Sequence, residues 1–213
     1  MSPTLPIRRS PLSSLRRAWG LHNGAVTSST DSAGAGFSQA DLGNALAQCL
    51  AYTAELPWGS APTLFALVPT AVLAQQAPDL IDPDDDSALS PIVQETGTSD
   101  LEELLTTLTW PAQVVGCALV TEITLLPPDA EADLDAALEP LLADPAAADE
   151  AARQAAHAHP EKQSARLAAG VLRAGKRVAL LALRDDDAQS ADLQTHPDLA
   201  PNLLDALADT FHG

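Results

Sequence analysis

Glu122 and Arg166 are the two charged residues whose surroundings suit them best to chemistry. Each lies in a stretch with the two-residue period of a strand. Val114, Gly116, Ala118, Val120, Glu122 and Thr124 share one face, and Arg166, Ala168, Gly170 and Leu172 share another. If these strands are neighbours, a carboxylate and a guanidinium meet on a sheet face built mostly from small side chains. That face has two readings. Small residues let a helix pack closely, and the couple is then a structural ion pair beneath it. Alternatively the face is a shelf for a ligand or partner, with the couple as its polar anchor. Arg173, Lys176 and Arg177 crowd the following turn and read as a local salt-bridged rim. Arg173 and Trp110 complete the candidate binding set with Glu122 and Arg166.

Other residue types capable of chemistry lack the spacing for it. No Gly-x-Ser-x-Gly elbow, Walker loop, dinucleotide fingerprint or His-Glu-x-x-His occurs. His157 and His159, two apart near a helix end, do not share a face. Asp82, Asp84 and Asp86 have calcium-loop spacing, but Ser87 replaces the turn glycine and Val93 the bidentate glutamate. Cys49 and Cys117 fall on apolar faces with no base beside them, as core thiols do. No catalytic residue, metal or cofactor is expected.

The elements that would position these residues follow from patterning. Residues 1–36 are rich in Ser, Arg, Gly and Pro without periodicity and read as a disordered tail. A single domain spans residues 37–213. Its first helix starts after Ser38, with Asp41 closing a capping box and Leu42, Ala45, Leu46, Cys49 and Leu50 as its stripe. Residues 63–68 form a strand, and a short helix opens at Pro69 and runs to Gln76. Residues 77–90 form an acidic loop, and 91–95 a short edge strand. A helix over Leu101, Leu104, Leu105 and Leu108 ends at Trp110-Pro111. The longest strand follows, with Val115, Cys117, Leu119, Thr121, Ile123 and Leu125 on its apolar face. A peripheral Ala-rich helix starts at Pro145. A hairpin turns at Ala174-Gly175, pairing Arg173 with Lys176. The last helix opens at Pro197, with Leu199, Leu203, Ala206, Leu207 and Phe211 as its stripe. This order predicts an α+β fold, a mainly antiparallel sheet of four to five strands with helices packed on it.

At 213 residues the chain is long enough to bury a core without disulfides or metal. Charge is uneven: residues 1–31 carry a net +3 and the remainder −21, for −18 overall. A field of that sign opposes nucleic acid and anionic membrane. No apolar run approaches the roughly 20 residues of a membrane span, and Arg8-Arg9 precede no signal-peptide core. Two cysteines without a framework suit a reducing compartment.

Leu64-Phe-Ala-Leu-Val68, Trp110-Pro-Ala-Gln-Val-Val-Gly-Cys-Ala-Leu119, Leu126-Pro-Pro128, His159-Pro-Glu-Lys-Gln163 with Arg166, and Val171-Leu-Arg-Ala-Gly175 resemble the ordered blocks of an uncharacterised actinobacterial family. Ala174 departs from the pattern, where Asp is expected. The resemblance spans about residues 40–211, carries no catalytic residue, and implies a soluble intracellular protein. The expectation is therefore a non-enzymatic cytoplasmic binding or adaptor protein whose partner is another protein. The alternative is a small-ligand binder or enzyme with a pocket over Glu122 and Arg166. The sequence sets no oligomeric state.

Overall fold

A computed structural model describes residues 9–11, 36–77, 85–95, 101, 105–106, 108–127, 145–184, 193–194 and 199–212. Within them the elements are β1 (Arg9–Pro11), α1 (Gln39–Ala54), β2 (Thr63–Pro69), α2 (Thr70–Gln76), β3 (Leu89–Glu95), β4 (Gly116–Leu125), α3 (Pro145–Ala158), β5 (Gln163–Leu172), β6 (Arg177–Leu183), β7 (Leu193–Gln194) and α4 (Pro201–Asp209). One sheet runs β1-β3-β2-β4-β5-β6-β7. The five long strands are antiparallel neighbours, and three-residue β1 lies parallel to β3. The fold is α+β, as the patterning predicts. Asp82 and Asp84 of the calcium-like spacing fall outside the described residues.

The Ser38 capping box forms as read. The Asp41 amide donates to the Ser38 hydroxyl at 3.1 Å, and the Ser38 amide to the Asp41 carboxylate at 2.7 Å. The Ser38 amide, and the Ser38 hydroxyl 2.7 Å from the same carboxylate oxygen, hold the Asp41 pKa below its ordinary value. Leu42, Leu46 and Cys49 of α1 are fully buried against Phe65, Leu67, Ala118, Val120, Ala168 and Leu172. Burying each leucine contributes about 1.5–3 kcal/mol. The opposite sheet face, with Leu64, Cys117, Leu119, Leu167, Ala169 and Val171, packs on Leu108, Trp110, Leu204 and Leu207. The core is thus two layers, one on each side of the sheet.

Two glycines set close approaches, Gly170 that of α1 to the sheet and Gly116 that of β4 to the neighbouring β5 backbone. A Cβ on Gly170 would stand 2.7 Å from Leu46 Cδ2, and one on Gly116 would stand 2.7 Å from the Val171 carbonyl oxygen. A leucine tip can turn aside, but a strand carbonyl cannot move without breaking its ladder. Gly116→Ala is therefore expected to cost about 2–3 kcal/mol and Gly170→Ala about 1 kcal/mol. Urea denaturation of both variants checks the order; equal losses would contradict it.

Four sequence expectations are corrected. The hairpin loop has three residues, because Leu172 pairs with Lys176 and Gly175 takes φ +88°. A positive φ suits glycine as the last residue of a three-residue loop, whereas a two-residue turn would ask the same of Ala174. The register therefore shifts by one: Leu167 faces Leu181 and Ala169 faces Ala179. Val115 packs with Ala118 and Val120 instead of Cys117, because the chain enters the sheet from a Pro111–Val114 turn and pleats only from Gly116. The last helix opens at Pro201, preceded by Ala200 at φ +53°, so Leu199 lies before it. Residues 91–95 belong to a seven-residue strand that gains β1 on its outer side.

Candidate functional site

β4 is buried from Gly116 to Val120 and half-buried from Thr121 onward. Its wetter end carries Glu122, which faces Arg166 directly across the β4–β5 ladder. Arg166 Nη2 lies 3.5 Å from Glu122 Oε1, with the two side chains 8% and 25% exposed. The nitrogen is close enough for charge attraction but is not aligned to donate, so Oε1 accepts no hydrogen bond. Arg166 Nη2 instead donates to the Leu56 carbonyl at 2.8 Å, and the Gly59 amide donates to Glu122 Oε2 at 2.8 Å. The couple therefore clips the loop between α1 and β2 onto the sheet. α1 ends at Ala54, so its covering of the small-residue face stops short of the couple.

Trp58, in the loop between α1 and β2, belongs to this cluster. The guanidinium carbons of Arg166 and Arg184 stand 4.4 and 4.9 Å from its ring centroid. Such contacts contribute about 0.5–2 kcal/mol each. The contact joins residues far apart in the chain, and no local pattern announces it. Beside the couple is an open depression of about 220 Å3, counting space continuous with solvent, lined by Thr53, Leu56, Ala61, Val120, Glu122 and Arg166 among others.

Arg166→Ala would leave Glu122 without its counter-charge and Leu56 without its donor. Breaking a buried pair costs about 3–5 kcal/mol and an exposed one under about 1 kcal/mol. With Glu122 a quarter exposed, a loss of about 2 kcal/mol is expected. A double-mutant cycle with Glu122→Gln reads the coupling; a value of zero would show the pair idle.

Arg173 and Trp110 form a separate cluster on the opposite face, about 24 Å away at roughly 3.4 Å per strand residue. Arg173 donates to the Val114 and Pro111 carbonyls at 3.3 and 3.2 Å and lies 4.6 Å from the Phe211 centroid. Trp110 stacks on Phe211 at 6.1 Å, and its Nε1–H donates to Thr210 Oγ1 at 2.9 Å. That hydroxyl donates in turn to the Leu207 carbonyl at 2.6 Å. This cluster ties α4 to the entrance of β4. Trp110→Phe keeps an aromatic ring but removes the Nε1–H donor and part of the buried ring volume, for an expected loss of about 2–3 kcal/mol by thermal denaturation; unchanged stability would mean that neither the bond nor the packing contributes. At the hairpin the expected salt-bridged rim forms in part among the described residues: Arg177 pairs with Asp205, whereas Lys176 donates to the Phe37 carbonyl and Arg173 to the Val114 and Pro111 carbonyls.

Both thiols are buried, and burial raises their pKa values, that of Cys117 to about 12. His159 Nδ1 accepts the Glu161 amide at 3.2 Å within a turn. Among the described residues no three His, Cys, Asp or Glu side chains are grouped to hold a metal ion. Among them no helix is long and apolar enough to cross a membrane.

A family model described as PPA1309-like protein matches residues 42–212, from the first buried leucine of α1 to the end of α4's last turn. No curated protein and no solved structure matches the chain.

Proposed function

The chain belongs to the PPA1309-like protein family, and we propose that it is a non-enzymatic cytoplasmic binding protein that docks a partner protein over the wet end of β4 and β5. The observation that carries this reading is the openness and floor of the depression. Metabolite sites are clefts that enclose most of their ligand, whereas this depression is open, and its roughly 220 Å3 is counted with space continuous with solvent. An open surface of this kind suits contact with another protein better than enclosure of a metabolite. Its floor, the Glu122–Arg166 couple, is held rigidly by the Leu56 and Gly59 backbone, which favours recognition without rearrangement. Two buried thiols supply no thiolate at neutral pH. They also support a reducing, cytoplasmic setting. The net charge of −18 favours a protein partner over nucleic acid or anionic lipid. The proposed surface rests on Glu122 and Arg166; the polar side-chain atoms of Arg173 and Trp110 are engaged within the fold.

A photo-crosslinking residue placed at Ser60, beside the depression, tests the reading in the native host. A discrete heavier adduct is expected. It should disappear when Ala61→Trp fills the mouth, and it should not form from exposed Gln75 on α2. Equal adducts from Ser60 and Gln75 would remove the docking site. A metabolite that raises the melting temperature of the wild type and not of Ala61→Trp would favour the small-ligand alternative.

A further inference from the structure

We propose that the outer edge of β3 is a strand-addition site for an extended basic segment of a partner protein, and that β1 occupies it in cis. The site lies apart from the depression over β4 and β5 and does not depend on it. Leu67 turns its carbonyl toward β4, where the Val115 amide donates to it at 3.0 Å. Pro91 opposes Leu67 across the β2–β3 ladder. Opposed residues of an antiparallel pair turn their backbone groups inward or outward together, so Pro91 faces away from β2. Alternation along β3 turns Val93 and Glu95 outward as well. Pro91 has no N–H, so the outward donors at this end of the strand are Val93 and Glu95. β1 lies against them, with Arg9 opposite Val93, Ser10 opposite Gln94 and Pro11 opposite Glu95. This parallel register sets the Ser10 backbone between Val93 and Glu95, and leaves Pro11 at a position that needs no donor.

β1 is weakly held. It has three residues, and parallel pairing is the less stable kind per residue. Fixing those residues costs entropy that a few ladder bonds only roughly offset. Pro6 and Pro11 bracket the segment in the sequence and stop the cis strand from growing. A segment free of proline meets no such stop and displaces it by main-chain pairing. Charge selects the occupant. Residues 1–31 carry +3 and the remainder −21. Exposed Asp86 precedes β3 and exposed Glu95 ends it. A basic segment answers that field, and an acidic one is repelled by it.

The test adds a peptide of residues 5–13, Leu-Pro-Ile-Arg-Arg-Ser-Pro-Leu-Ser, to the isotope-labelled full chain at about millimolar concentration. The Val93 and Glu95 amides are read by NMR. Ser10→Pro in the full chain removes the ladder donor of β1. It should speed exchange of the Glu95 amide about five-fold and leave the Phe65 amide, inside the sheet, unchanged. The peptide should then bind about five-fold more tightly than to wild type, because the cis strand no longer competes. Arg8→Glu with Arg9→Glu in the full chain releases β1 by charge and should give the same gain. The same two changes in the peptide should abolish its binding. Equal affinity of the peptide for wild type and both variants, or binding to none of them, would remove the site. Equal binding of the acidic peptide would remove the basic partner. A dimeric wild type that Ser10→Pro makes monomeric would seat β1 on a second copy and overturn the proposal.

Discussion

Phe65→Ala is expected to lower stability by about 3–5 kcal/mol. Phe65 is fully buried at the middle of β2, paired with Val93 on one side and Ala118 on the other. Its ring meets Tyr52 edge-on, with centroids 5.9 Å apart and planes at 89°. The chain holds only three phenylalanines and one tyrosine, so this ring supplies volume that the alanine-rich surroundings cannot. Ala45, Ala118 and Ala168 of the same cluster are too short to fill a vacated site. Phe65→Leu keeps most of the volume and should cost about 1–1.5 kcal/mol. Urea denaturation at constant m-value measures both. A loss under about 1 kcal/mol for the alanine variant would show that α1 does not close over β2.

Stability should fall as pH rises above 9. An unfolded thiol ionises near 9.0, whereas Cys117 in the fold is pushed up to about 12 and Cys49 is raised as well, both by burial. Below pH 9 both states keep their thiol protons, and the contribution is fully present. Above it the unfolded chain releases protons that the folded chain retains, so unfolding becomes easier. Each thiol then removes about 1.4 kcal/mol per pH unit, for Cys117 up to about 12. Denaturation curves of the wild type and the Cys49→Ala, Cys117→Ala double variant at pH 8, 9 and 10, values spanning the thiol's ordinary range, isolate the effect from other titrating groups. Parallel pH slopes in the two proteins would count against it. Iodoacetamide should label neither thiol in the folded state and both in urea.

How much of this was legible depended on how local each signal is. The Ser38–Asp41 cap is contained in four residues and reads directly. The β4 alternation, dry at its start and wetter after Val120, also reads directly, because each side chain's face depends on its own strand alone. The Glu122–Arg166 couple needed one further assumption, that β4 neighbours β5, and the register satisfies it. The hairpin failed on a single loop residue. Ala174-Gly175 admits a two-residue or a three-residue turn, and the choice turns every β6 side chain to the other face. The start of α4 failed because Pro197 and Pro201 both qualify as first-turn residues, and only packing selects between them. Trp58 and Thr210 acquire their roles from partners far away in sequence, at Arg166 and Arg184 for the first and Trp110 for the second. No reading of neighbouring residues reaches such contacts.

The covering of β5 by α1 has a consequence for the ribosome-bound chain. Leu46 packs onto Gly170, 124 residues further along the sequence. At about 5–20 residues per second, roughly 6–25 s pass between the synthesis of the two. Throughout that interval the oily stripe of α1 has been made and its resting place has not. A nascent chain of this kind is a natural client for chaperones that shield early helices during translation.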